Sequence, residues 1–215
     1  YYGQYKFRIV ETNGTCSDAD TITVTFYEQP TANAGTDIQV CNSKSTNLAA
    51  TAFTYSGGSN QNFGTREWQY FSGPDNTPTF ANPSNPASNV TVDYYGDYEF
   101  RFVETNGTCN ASDIVRVRFY EKPATDAGDT IKVCGSRTAT FNANAFSYSA
   151  SPNQNWGTRQ WKYYNGPDNT PTFINQTSPN GQVMVDYYGE YKFKFVKING
   201  TCGDSDIVVI KFYEQ

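Results

Sequence analysis

Histidine is absent from all 215 residues, methionine occurs once, and charged residues make up only 17 % of the chain. Without histidine a serine or cysteine nucleophile has no imidazole base. The five cysteines include no Cys-x-x-Cys pair, so a zinc centre is not expected. Neither G-x-S-x-G nor a glycine-rich loop ending in lysine occurs, which sets aside the hydrolase elbow and phosphate-loop chemistry. Lys and Arg number 16 against 21 Asp and Glu, the formal net charge is −5, and no basic cluster interrupts the chain. The electrostatic footprint of a nucleic-acid binder is therefore missing. No apolar run approaches the roughly 18–20 residues of a membrane-spanning helix. No helix-type apolar periodicity is visible either. The chain opens on Tyr1 without a signal-peptide pattern, and it is expected to be a mature or internal piece of a larger protein.

What the chain has instead is aromatic and repetitive. Tyr and Phe contribute 17 and 15 residues, a balance suited to pleated, half-buried β surfaces. The string YYG begins at Tyr1, Tyr94 and Tyr187, NGTC at Asn13, Asn106 and Asn199, and FYE at Phe26, Phe119 and Phe212. Each interval is 93 residues (94 − 1, 187 − 94). Thr31–Lys122 aligns with Ala124–Gln215 without a gap, and 50 of the 92 positions are identical. Self-similarity at this period marks a tandem array. The expected organisation is 1–29 as the C-terminal third of a preceding repeat, then 30–122 and 123–215 as complete repeats. Pro30 and Pro123 stand at the junctions, where a fixed φ and a stiffened preceding residue leave a short linker little freedom.

Within a repeat the apolar residues alternate as half-buried strands require. Tyr98, Phe100 and Phe102 oppose Glu99 and Arg101, and Val115, Val117 and Phe119 oppose Arg116 and Arg118. Val90, Val92 and Tyr94 form a third run, and Ile38 with Val40, Leu48 with Ala50 and Ala52, and Trp68 with Tyr70 suggest three more. Asn-Gly at 106–107, Gly-Pro-Asp-Asn at 73–76 and two Asn-Pro pairs punctuate them. About seven short strands in some 90 residues, with a Trp near the third, predict an all-β fold of tandem immunoglobulin-like sandwiches.

The pattern Ala34-Gly35, Val40-Cys41, Trp68, Gly73-Pro74, Tyr95-Gly96, Tyr98 to Val103, Asn106-Gly107, Cys109 and Ser112-Asp113 resembles PKD-like repeats of the immunoglobulin fold. Such repeats occur in long surface proteins and gliding adhesins of Bacteroidota. In place of the Trp-Asp-Phe-Gly-Asp-Gly motif typical of PKD domains, this chain has Trp68-Gln69-Tyr70-Phe71-Ser72-Gly73. The resemblance implies secretion, cell-surface display and a spacer or adhesive role, with neighbouring repeats or subunits as partners and no membrane span in this segment. No enzyme activity is expected.

The cysteines follow the repeat. Cys41 with Cys109, and Cys134 with Cys202, are each 68 residues apart, and Cys16 corresponds to Cys109. In sandwiches of this type the first and last strands are neighbours. One disulfide per repeat is therefore expected, with Cys16 reaching to a preceding or neighbouring repeat. Buried free thiols are the alternative. Asn13, Asn106 and Asn199 begin Asn-Gly-Thr triplets that fit an N-glycosylation acceptor and equally the centre of a tight hairpin turn. Thr21 and Thr130 follow Asp and resemble a Bacteroidota O-glycosylation acceptor. Asp18 with Asp20, and Asp204 with Asp206, are spaced for calcium, but Ala111-Ser112-Asp113 breaks the pair in the middle copy, so no cofactor is expected. Loop aromatics complete the candidates. Tyr70, Phe71, Tyr163 and Tyr164 precede the Gly-Pro-Asp-Asn loops, and Phe63 and Trp156 lie in the preceding loops. They could stack on glycans or form contacts between domains.

Overall fold

The computed structural model describes residues 1–56, 64–74, 77–146, 148–149, 157–167 and 170–215. Its described elements are all strands. They begin with the hairpin β1 (Gly3–Asn13) and β2 (Cys16–Phe26). The first whole repeat then supplies β3 (Ile38–Cys41), β4 (Ser45–Asn47), β5 (Gly64–Ser72), β6 (Thr79–Phe80), β7 (Asn89–Thr91), β8 (Gly96–Asn106) and β9 (Cys109–Tyr120). The second supplies the same seven in the same order: β10 (Ile131–Cys134), β11 (Thr138–Thr140), β12 (Gly157–Asn165), β13 (Thr172–Ile174), β14 (Gln182–Met184), β15 (Gly189–Asn199) and β16 (Cys202–Tyr213).

Each whole repeat forms a four-stranded and a three-stranded sheet: β3-β9-β8-β5 with β4-β7-β6, and β10-β16-β15-β12 with β11-β14-β13. This four-plus-three arrangement is an immunoglobulin-like β-sandwich. The long hairpins are antiparallel, but β10 joins β16 in parallel, placing Ile131 opposite Ile210 and Cys134 opposite Tyr213. Period-two burial explains the sequence pattern: along β8 every second side chain is buried, and Tyr98, Phe100 and Phe102 are fully enclosed. Val115 and Val117 of β9 and Trp68 of β5 are buried as well. Leu48 is buried just beyond the end of β4, and Tyr94 lies outside β7 and is exposed, so these two expected runs are shorter than their alternation suggests.

The chain divides into two compact units whose boundaries cut across the repeats. Unit 1 comprises Tyr1–Ile38, Ser45–Asp93 and Tyr98–Val117. Unit 2 comprises Gln39–Lys44, Tyr94–Asp97 and Arg118–Gln215. In unit 2 the core is aromatic: Phe141 stacks on Trp161 at 3.8 Å between centroids, and Trp161 on Phe195 at 4.5 Å. Offset stacks of this kind add to the stabilisation from buried area alone. In unit 1, Trp68 meets Phe102 at 4.9 Å. The indole N–H groups are satisfied, Trp68 Nε1 donating to Pro86 O at 3.1 Å and Trp161 Nε1 to Ser178 O at 3.0 Å.

Candidate functional site

The feature that recurs at the 93-residue spacing is a clasp between an FYE segment and the next NGTC hairpin. The hairpin is built from its pairing register. Asn13 pairs with Cys16, and Asn199 with Cys202, so Gly-Thr, and not Asn-Gly, forms the two-residue loop. Gly14, Gly107 and Gly200 have φ of 64°, 58° and 56°, while neither the Asn nor the Thr has positive φ. A positive φ at the first loop position alone is the type II′ pattern, which asks for Gly there. The expected Asn-Gly turn centre is thus shifted by one residue, and each Asn becomes the last paired residue of its strand.

That shift gives the Asn side chain a different task. In unit 1, Asn106 is 2 % exposed and its Nδ2 donates to Glu28 O at 2.8 Å. In unit 2, Asn199 is 1 % exposed and donates to Glu121 O at the same 2.8 Å. A buried carbonyl left without this donor would be costly, which accounts for the Asn. Of the possible N-glycan acceptors, Asn106 and Asn199 are thus enclosed, their side chains spent on the clasp. Asn13 is exposed, as are Thr21 and Thr130.

Two further contacts complete each clasp. A Cβ on Gly107 would overlap the Tyr27 ring, and one on Gly200 the Tyr120 ring, so each tyrosine lies flat against a glycine of the turn. The glutamate that follows is anchored from another loop. Glu28 Oε2 accepts from Ser56 N and Oγ, both at 2.9 Å, and Glu121 Oε2 accepts from Ser149 N and Oγ, both at 2.8 Å. Pro30 and Pro123 are buried beside them. Every residue of the first clasp lies in unit 1 and every residue of the second in unit 2.

In unit 2 the clasp is covalent. Cys41 and Cys202 form a disulfide with a Cα–Cα distance of 5.2 Å and a sequence separation of 161. Cys16, Cys109 and Cys134 are free. This overturns the expected pairs Cys41–Cys109 and Cys134–Cys202, and the parallel first strand is the reason. Cys134 ends β10 opposite Tyr213, at the far end of β16 from Cys202. The eleven residues from 202 to 213 span roughly 36 Å of strand, whereas a disulfide needs Cα atoms within about 7 Å. Cys41 is placed equivalently: Asn42 N donates to Tyr120 O at 2.9 Å, as Gly135 N does to Tyr213 O. A first-strand cysteine therefore sits beside its own FYE segment, and in unit 2 that segment carries the following NGTC hairpin.

A buried polar position lies near each clasp. Glu104 is fully buried, accepting from Phe53 N at 2.9 Å, with Arg66 Nε at 3.6 Å. Its equivalent (104 + 93 = 197) is Lys197, which donates to Asn144 O at 2.9 Å and Ala124 O at 3.2 Å. Lys197 lines a cavity of about 190 Å³ with Phe146, Tyr148 and Arg159. Burial, followed by the charge of Arg159, holds its ammonium below the ordinary lysine range. Burial, followed by Glu121, pushes the Tyr148 hydroxyl up.

The carboxylates singled out in the sequence serve as backbone acceptors. Asp113 and Asp206 accept from Ala34 N and Ala127 N, both at 2.9 Å, and Asp204 from Thr125 N at 2.8 Å. Asp18 and Asp20 accept from the amides of the next residues. Among the described residues no cluster of three or more acidic, His or Cys side chains could hold a metal. Tyr70 and Tyr163 donate to Gly73 O and Gly166 O, at 3.1 and 2.9 Å. Phe71 and Tyr164 fall at register shifts in β5 and β12 and are exposed, Phe71 beneath the Arg101 guanidinium at 5.7 Å. Phe63 and Trp156 lie outside the described residues.

Fold and clasp together define a chain of tandem immunoglobulin-like β-sandwiches. No protein-family model matches the sequence, and no curated protein does. Solved structures do share the fold. Extracellular domains 3–5 of Drosophila OTK align with 98 % of this chain and 71 % of their own length, at 11 % identity and a TM-score of 0.59. A three-Ig fragment of titin aligns with 86 % of this chain and 66 % of its own length, at 10 % identity and a TM-score of 0.50. The PKD domain of human KIAA0319 covers 47 % of this chain at 14 % identity, with a TM-score of 0.38.

Proposed function

We propose that this chain is a structural segment of an extracellular tandem-repeat fibre, a surface stalk, adhesin or filament of the Bacteroidota gliding-adhesin type, with no catalytic role. The observation that carries the reading is the clasp, reproduced contact for contact at the 93-residue period and covalent at Cys41–Cys202. A bond of this kind persists in an oxidising compartment, which favours display outside the cell. The work of such a segment is mechanical. Length is added by adding copies, and each copy contacts its neighbours alone. Its partners are then neighbouring repeats or subunits of the same protein.

The test is antibody labelling of intact producing cells with serum raised against this chain. Labelled fibres on the surface, removed by external protease, are expected. Signal only after lysis would contradict the reading. A second reading, a carbohydrate-binding module, is favoured by the exposed Phe71 and Tyr164 at the two bulges, since aromatic faces suit sugar rings. In that case soluble polysaccharide would bind the wild-type chain and not a Phe71→Ala/Tyr164→Ala double variant.

A further inference from the structure

We infer that the Cys41–Cys202 bond is one rung of a ladder, in which the first-strand cysteine of every repeat is bonded to the hairpin cysteine of the following repeat. Cys134 and Cys109 are then halves of two further rungs, and Cys16 of another, each completed by a further copy of this 93-residue repeat. This rests on the clasp itself and holds wherever the protein is displayed.

Two half-built sites carry the inference. At the first, Cys134 is presented as Cys41 is: it ends a strand beside an FYE segment, and the amide of the next residue donates to the tyrosine carbonyl at 2.9 Å in both copies. What differs is the hairpin. Tyr120, covered by Gly200, is 6 % exposed, whereas its equivalent Tyr213 is 48 % exposed, and Cys134 is an exposed free thiol. A further NGTC hairpin would cover Tyr213 and bring a cysteine to Cys134. At the second, the hairpin is present and the strand is not. Cys109 stands in a clasp whose Asn106–Glu28 and Gly107–Tyr27 contacts match those around Cys202. Yet among the described residues β2, the equivalent of β9 and β16, pairs with β1 alone, while β9 and β16 each carry a first strand ending in cysteine on their other edge. A first strand added to β2 would end with its cysteine beside Tyr27, where Cys41 lies beside Tyr120.

Forming a rung removes two protons and two electrons from a pair of thiols. The oxidant is a disulfide, either a disulfide-carrying oxidoreductase or a small disulfide such as oxidised glutathione. One thiolate attacks it to give a mixed disulfide, the second thiolate displaces the carrier's sulfur, and the carrier leaves as a dithiol or as two thiols.

The test compares the 215-residue chain with one extended after Gln215 by a second copy of 123–215. Both are folded in a glutathione couple, alkylated when unfolded but not reduced, and mapped by mass. The existing chain is expected to show three alkylated thiols, Cys16, Cys109 and Cys134 (five minus the bonded pair). The extended chain, although it gains two cysteines, is expected still to show three, with Cys134 bonded to the appended copy of Cys202. Cys134→Ser in the extended chain should leave that appended cysteine alkylated. Five alkylated thiols, or Cys134 bonded to the Cys202 of its own repeat, would overturn the ladder. Should the extension fail to fold, the existing chain still decides: Cys134 found bonded within it refutes the proposal.

Discussion

Gly200 illustrates how much a single position carries. It supplies a left-handed φ for the turn and, by lacking a Cβ, a flat seat for Tyr120. Gly200→Ala should combine a left-handed backbone penalty with overpacking, about 2–4 kcal/mol on the unfolding of unit 2. Gly14→Ala, with a similar φ of 64° but open space around it, should lose about 1 kcal/mol. Equal losses in denaturant titrations would show that the tyrosine seat contributes nothing. Lys197 makes a second residue-scale prediction. The unfolded chain keeps its proton up to the ordinary lysine range, whereas burial makes the folded chain release it earlier. Stability therefore rises with pH across that interval. Tyr148 works in the opposite sense above about pH 10, because burial raises it in the folded state only. Comparison of wild type with Lys197→Met from pH 7 to 10 should show the alkaline rise in wild type alone, and parallel curves would refute it. Asn106 and Asn199 mark the limit of reading residues from sequence. Asn-Gly-Thr spells a turn and a glycan acceptor equally well, and what distinguishes the copies is the preceding Glu carbonyl, on which Asn106 and Asn199 are buried while Asn13 stays exposed.

At the scale of elements, most of the sandwich was legible. Strict alternation in Tyr98–Phe102 and Val115–Phe119 marks strands buried on one face, and β8 and β9 follow it residue by residue. The short strands were less legible. Leu48 is core just beyond the end of β4, where its N–H still donates to Ser88 O at 2.9 Å. The disulfide departs from the spacing of the cysteines for a definite physical reason. The sequence pattern marks first and last strands as neighbours but not their direction, and parallel pairing sets Cys134 opposite Tyr213, a full strand length from Cys202. The staple closes a 161-residue separation, for which chain entropy gives roughly 5 kcal/mol. Cys41→Ser is accordingly expected to lower the stability of unit 2 by up to about 5 kcal/mol in denaturant unfolding and to free Cys202 for alkylation. A loss below about 1 kcal/mol would mean that the clasp contacts hold the segments without the bond.

For the whole molecule, the junction is the stapled feature: a cysteine of 30–122 is bonded to one of 123–215. The repeat period was plain in the sequence, but the clasp was not. Tyr27, Glu28, Tyr120 and Glu121 read as mere markers of period, since nothing local shows what a conspicuous tyrosine packs against. A covalent clasp changes how the chain bears load, because tension applied at its ends bypasses everything between Cys41 and Cys202. The most direct test is to stretch single chains by their termini and then add a reductant. The account predicts that reduction releases one increment of roughly 530–580 Å, the contour of 161 residues at about 3.3–3.6 Å each. Two releases of roughly 230 Å each, the signature of a bond closed within each repeat, or no release at all, would contradict it.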